Sequence, residues 1–322
     1  MPFDKTTYPY STAKTDTTPK PENEPMNVVR KNEAVHSYPE TAPKYELKDL
    51  IISDAVFEEL KTIMSAEQCR DIVFEKWNLK SVLGEKRNLF VNLYGHPGTG
   101  KTMAAHAIAS ALGKKIICVN YAEIESKYVG ETSKNLSALF RQAGDTGAVI
   151  FFDEADAFLS KRVTNMNNST DVSVNQTRSV LLTLLNDYNG IVILATNFIS
   201  NYDRAFMRRI QFHVKFELPD LKLREKLWRM YIPAEMPTDV NIPEISEKYS
   251  DISGSDISTA VLKAALSAAQ KGLDIVPGSY FETAIKGIVA SKRANDNIVK
   301  VETREVSEEY ALSQINKNGG QA

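Results

Sequence analysis

The residues with most chemical content form one run, Gly95-His96-Pro97-Gly98-Thr99-Gly100-Lys101-Thr102, with the spacing G-x-x-x-x-G-K-[ST]. Glycines let the backbone curl so that successive N–H groups converge on one anion, and a helix starting there adds its positive dipole end. A lysine followed by a hydroxyl suits a polyphosphate. Lys101 is placed to reach β- and γ-phosphates, and Thr102 to ligate Mg²⁺. The apolar run Leu89–Tyr94 precedes the glycines and Met103–Ala109 follows them. Strand, loop and helix in that order are the context such a loop requires.

Hydrolysis also needs a carboxylate for the metal and a group that orients water. Val149-Ile150-Phe151-Phe152 runs into Asp153-Glu154-Ala155-Asp156. Asp153 is expected to hold Mg²⁺, directly or through water, and Glu154 to polarise the attacking water. Asp156 reads as a cap or a pairing partner. Asn197 ends another apolar run, Ile191–Ala195, where it could hydrogen-bond that water or the γ-phosphate.

Positioning these groups takes a sheet. Apolar stretches around Leu89–Tyr94, Lys115–Val119, Ala148–Phe152, Ile191–Ala195 and Val214–Leu218 alternate with helical periodicity. That alternation predicts an α/β fold, a parallel five-stranded sheet flanked by helices. Ligands bind such sheets beyond the carboxyl ends of the strands, where the phosphate loop, Asp153 and Asn197 all fall. Val180, Leu181, Leu184, Leu185 and Tyr188 form one helical stripe, and Asp54 is placed to cap a helix through Val56, Leu60 and Ile63.

Four segments follow. Residues 1–44, with prolines at 2, 9, 19, 21, 25, 39 and 43, read as a disordered arm. Residues 45–219 read as the nucleotide-binding α/β domain, 220–315 as a small all-helical lid, and 316–322 as a disordered tail. Trp77 is expected to pack.

With 39 Lys and Arg against 41 Asp and Glu among 322 residues, the net charge of −2 gives no bulk attraction to nucleic acid or an anionic membrane. Composition, 43% hydrophobic and 25% charged, suits a globular chain. No apolar run reaches membrane-spanning length and the N-terminus has no signal-peptide core, so a cytoplasmic location is expected. Cys69 and Cys118 lack metal-site spacing and read as buried free thiols.

In this order the motifs resemble an AAA+ ATPase module of the ring-forming, hexameric protein-remodelling clade, over about residues 46–315. Residues 95–102 match the Walker A motif, Phe151–Asp156 Walker B, and Ala195-Thr196-Asn197 sensor 1. Ile252-Ser253-Gly254-Ser255-Asp256-Ile257 is similar to the lid motif, and Asp203–Arg209 to the arginine-finger segment. The resemblance implies that Arg208 and Arg209 reach the ATP site of the next subunit. Because Ile210-Gln211-Phe212 stands where many relatives have Gly-Arg-Phe, it leaves open which arginine is the main finger. It also implies that Lys127, Tyr128, Val129 and Gly130 form a pore loop gripping an unfolded polypeptide. ATP, Mg²⁺, a homo-hexamer and a protein substrate follow as expectations.

The compact module after a short arm is compatible with the ATPases that remodel HORMA-domain proteins, including bacterial versions in nucleotide-signalling antiphage systems. Two other readings stand beside it: an unfoldase subunit for a separate protease, and a nucleotide-controlled scaffold. No His-Glu-x-x-His zinc motif occurs in the sequence.

Overall fold

The computed structural model describes residues 37–84, 88–120, 124, 131–159, 169–197 and 202–299. Residues 127–130, expected to grip a substrate, lie outside them, as do the expected tail 316–322 and residues 1–36 of the expected arm.

Helix α1 (Asp54–Gln68) precedes strand β1 (Leu89–Gly95), α2 (Lys101–Ala111), β2 (Ile116–Val119), α3 (Glu131–Thr146) and β3 (Val149–Phe152). Then come α4 (Asp156–Leu159), α5 (Ser169–Asp187), β4 (Ile191–Thr196), α6 (Arg204–Met207) and β5 (Phe212–Phe216). The sheet has the order β2-β3-β4-β1-β5, all pairs parallel, as the alternation predicts.

Successive strand residues feed two cores. Leu89, Val91 and Leu93 pack with α1 and α2 on one face; Phe90, Ile150, Phe152 and Leu194 pack with α3 and α5 on the other. Burial on both faces is why these strands read as continuous apolar runs. The expected stripe buries Leu181 and Leu185 on α5 and Tyr188 just past its end.

Beyond the sheet lie α7 (Leu221–Tyr231), α8 (Ile242–Lys248), α9 (Gly254–Gln270) and α10 (Gly278–Val299). They close on their own core, in which Trp228 and Phe281 are wholly buried edge to face, 6.1 Å between ring centroids.

Four expectations change. Residues 37–44 are not part of a loose arm. Tyr38 is 2% exposed, its N–H donates to Gln142 Oε1 (2.9 Å), and Thr41 and Ile116 exchange two backbone hydrogen bonds of 3.0 Å. β2 is an edge strand, and this strap partly covers it. The cap of α1 is Ser53, whose hydroxyl accepts from the Val56 N–H, while Asp54 is the first helical residue. Trp77 is 65% exposed. Cys69, just past the end of α1, and Cys118, on the edge strand with its Sγ 3.7 Å from His106 Nε2, are exposed thiols.

Candidate functional site

Parallel register decides what meets at the carboxyl edge of the sheet. Leu93 pairs with Ala195 and Tyr94 with Thr196, so the residues after β1 and β4 emerge side by side. Phe152 pairs with Leu194, which brings Asp153 alongside. The glycine loop, Asp153, Glu154 and Asn197 therefore share one rim.

The loop demands glycine where backbones touch. Gly95 has φ of 134°, and a Cβ there would stand 2.0 Å from the Phe216 carbonyl oxygen. Gly98, at φ of 73°, carries its carbonyl to the Ser255 N–H (3.2 Å) at the start of α9. Ser253 accepts from Asp256 N–H and Asp256 accepts in return, a capping box that was legible as Ser-x-x-Asp. A Cβ on Gly98 would meet Ser255 Cβ at 2.6 Å and Ser253 Oγ at 2.7 Å. Gly98→Ala is therefore expected to push the helical bundle off the loop and weaken ATP analogue binding ~10-fold, a cost typical of local backbone strain. Titration with a fluorescent analogue measures this; wild-type affinity would contradict the clamp.

Lys101 is buried, and its Nζ donates to the carbonyls of Gly95 (2.9 Å) and His96 (2.8 Å) and to Asn197 Oδ1 (2.9 Å). Burial lowers its pKa, while the charges of Asp153 and Asp156 act in the opposite direction. Thr102 Oγ1 donates to Asp153 Oδ2 at 3.0 Å. Pro97 and His96 are exposed at the lip of the loop, and Thr99 closes it by donating to the His96 carbonyl (2.7 Å). Lys101→Met keeps the stem and removes the charge. Loss of a charge-assisted bond to phosphate is expected to weaken ATP affinity ~10²-fold, read by calorimetric titration.

Asp153 accepts the Glu154 N–H at 3.0 Å. Glu154 is exposed with φ of 52°, one of two non-glycine residues in the left-handed region among those described. Such strain in a β-strand terminus points to a site whose surroundings hold it. Nothing in the sequence signalled that backbone state.

These residues line a cleft of about 750 Å³, large enough for a nucleotide. Its other wall was not read from the sequence: Ile51, Ile52 and Val56 before and on α1 face Leu223, Leu227 and Met230 of α7. Apolar walls opposite a phosphate loop suit a flat base. The strap is also tied to α2, where His106 Nδ1 accepts the Lys44 N–H at 3.2 Å. Burial lowers the His106 pKa.

The two arginines differ. Arg209 Nε donates to Asn186 Oδ1 (2.7 Å) and its Nη1 to the Ala205 carbonyl (2.5 Å). Arg208 is exposed, and its guanidinium makes no hydrogen bond or ion pair among the described residues. Neither lines the cleft.

For Mg²⁺, a threonine hydroxyl and a carboxylate oxygen 3.0 Å apart are hard oxygen donors of the type this ion takes, so the residues fit it. No described helix is long and apolar enough to cross a membrane.

Residues 91–218 match the model of the "ATPase family associated with various cellular activities (AAA)". The chain is 31% identical over 265 residues to the 26S proteasome regulatory subunit 4 homolog B of Arabidopsis thaliana, covering 79% of this chain and 58% of that one. It is 29% identical to the corresponding Dictyostelium discoideum homolog over 266 residues, with the same two coverages, 79% and 58%. It is also 31% identical over 265 residues to the ATP-dependent zinc metalloprotease FtsH 2 of a Thermoanaerobacter species, 79% of this chain and 50% of that. The chain thus spans between half and three-fifths of these relatives. Sheet order, phosphate loop and sequence match agree: residues 91–218 of this chain are an AAA ATPase domain.

Proposed function

We propose that the chain is one subunit of a hexameric ring that hydrolyses ATP at sites shared between neighbours and uses the cycle to pull on a partner protein. The observation that carries this reading is the separation between a cleft holding Lys101, Thr102, Asp153, Glu154 and Asn197 and an exposed Arg208 outside it, unpaired among the described residues. Among the described residues the cleft is lined by no arginine and the Arg208 guanidinium has no partner, which supports their meeting between copies.

The residues divide the work. The loop amides and Lys101 hold the phosphates, with Thr102 and Asp153 to hold Mg²⁺. The ion, when bound, neutralises charge on the phosphate oxygens. Glu154 accepts a proton from the attacking water, Asn197 orients that water, and Arg208 of the neighbour meets charge developing on the transferring phosphoryl group. Arg209, held to α5 and α6 in its own subunit, supports the segment that presents Arg208. Gly98 joins the helical bundle to the phosphates, so that a change there moves the bundle.

Tyr128 supplies the grip: an aromatic ring contacts many side chains without demanding one sequence. Similarity to proteasome regulatory subunits supports a protein as the substrate, and a HORMA-domain protein is our specific candidate for it. The resemblance to a zinc metalloprotease favours a second reading, in which the chain feeds a separate peptidase.

The test is a trap. Glu154→Gln protein with ATP is used to capture the partner from the native host, and mass spectrometry identifies it. Wild-type chain and ATP are then added while hydrogen exchange follows the partner. Loss of protection in the partner, absent with Tyr128→Ala, is expected. Capture followed by unchanged protection would favour the nucleotide-controlled scaffold.

A further inference from the structure

Asp156 lies outside the set of groups that would touch nucleotide, yet two parts of the site are tied through it. One carboxylate oxygen accepts from the Thr196 hydroxyl, and the other from the Asn197 backbone N–H at 3.4 Å. Asn197 in turn receives Lys101 on its side chain at 2.9 Å. Thr196 is 1% exposed, so its hydroxyl needs a partner within the protein. The turn carrying Asp156 is pinned independently, because the Ala155 N–H donates to the Ala195 carbonyl at 2.8 Å.

The path continues away from the cleft. Asp156 opens α4, whose last residue, Leu159, is wholly buried and accepts the Asp203 N–H at 2.8 Å. Asp203 caps α6 by accepting the Ala205 N–H at 2.8 Å, and Arg208 follows as the C-cap of that helix. Tyr202, 5% exposed, interacts with Thr196 and Asp156 of the same network. Burial raises the pKa of its phenol, and the nearby Asp156 charge adds to this.

We propose that Asp156 is a positioning residue that couples the chain's own cleft to the placement of its Arg208 at the neighbouring cleft. It fixes Asn197 on one side and, through α4 and Asp203, the helix presenting Arg208 on the other. A carboxylate suits this place because two donors converge on it and it only accepts. An asparagine would offer an N–H₂ group to one of them. This rests on the roles given above to Asn197 and Arg208.

The test uses the full chain with Asp156→Asn. Loss of one charged hydrogen bond in the relay is expected to lower kcat ~10-fold, with KM for ATP and Tm near wild type. A residue of purely structural importance would move Tm and KM together. Double-mutant cycles with Asn197→Ala and with Arg208→Ala are expected to give effects smaller than the product of the single ones. Fully multiplicative effects in both cycles, or wild-type kcat in Asp156→Asn while Asn197→Ala and Arg208→Ala are slow, overturn the relay and leave the roles of Asn197 and Arg208 standing. Wild-type turnover in Asn197→Ala and Arg208→Ala overturns both. Should Asp156→Asn fail to fold, Thr196→Val is carried through the same cycles, with an expected loss of ~3-fold in kcat and the same readings.

Discussion

Glu154→Gln is expected to bind ATP as tightly as the wild type and to turn it over ~10³-fold more slowly, the usual scale for removing a positioned general base. Glu154 is exposed, so its side chain supports no packing whose loss would confuse the result. The left-handed backbone at this position, φ of 52°, is a property of the turn and survives the substitution. Asp153 remains to receive the Glu154-position N–H and the Thr102 hydroxyl, so binding of nucleotide with Mg²⁺ is retained. Single-turnover hydrolysis beside equilibrium titration separates the two quantities. Unchanged turnover would remove Glu154 from the chemistry.

Arg208→Ala is expected to slow turnover by a similar factor, ~10³, for a different reason. An arginine supplied to a transferring phosphoryl group stabilises charge that exists only in the transition state. The guanidinium is exposed and makes no bond within its own subunit among the described residues, so its removal leaves the Tm of the subunit in place. Arg209→Ala is the contrast. It breaks the bonds to Asn186 and the Ala205 carbonyl, and its effect should appear in Tm as well as in turnover. Equal Tm values and equal slowing in both variants would contradict the division between the two arginines.

The parts of this site that were legible in sequence are those whose chemistry needs a fixed spacing. The glycine loop, the paired carboxylates after β3 and Asn197 after β4 could be placed because a buried parallel strand reads as an apolar run and its carboxyl end is where it stops. Residues joined only by folding were not legible. Asp156 and Thr196 are 40 positions apart, and their bond depends on the β3–β4 register. The strap at Tyr38 and Thr41 was hidden by the prolines around it, because composition speaks for a segment's average and two residues fitted to an edge strand are enough to hold it. Trp77 illustrates the reverse failure: aromatic character suggests packing, but no described element covers it. Arg208 and Arg209 are adjacent in sequence and opposite in circumstance, a distinction made by Asn186 on α5.

The central claim is that each active site is built from two copies of the chain, and mixing two inactive variants tests it most directly. Glu154→Gln subunits lack the base but carry Arg208, and Arg208→Ala subunits carry the base but lack the arginine. In mixed rings some Arg208→Ala subunits meet an intact arginine from a Glu154→Gln neighbour, so ATP turnover of the mixture should rise well above that of either protein alone. Turnover that stays at the mean of the two inactive proteins, in mixtures shown by subunit exchange to contain both chains in one ring, would contradict the shared site.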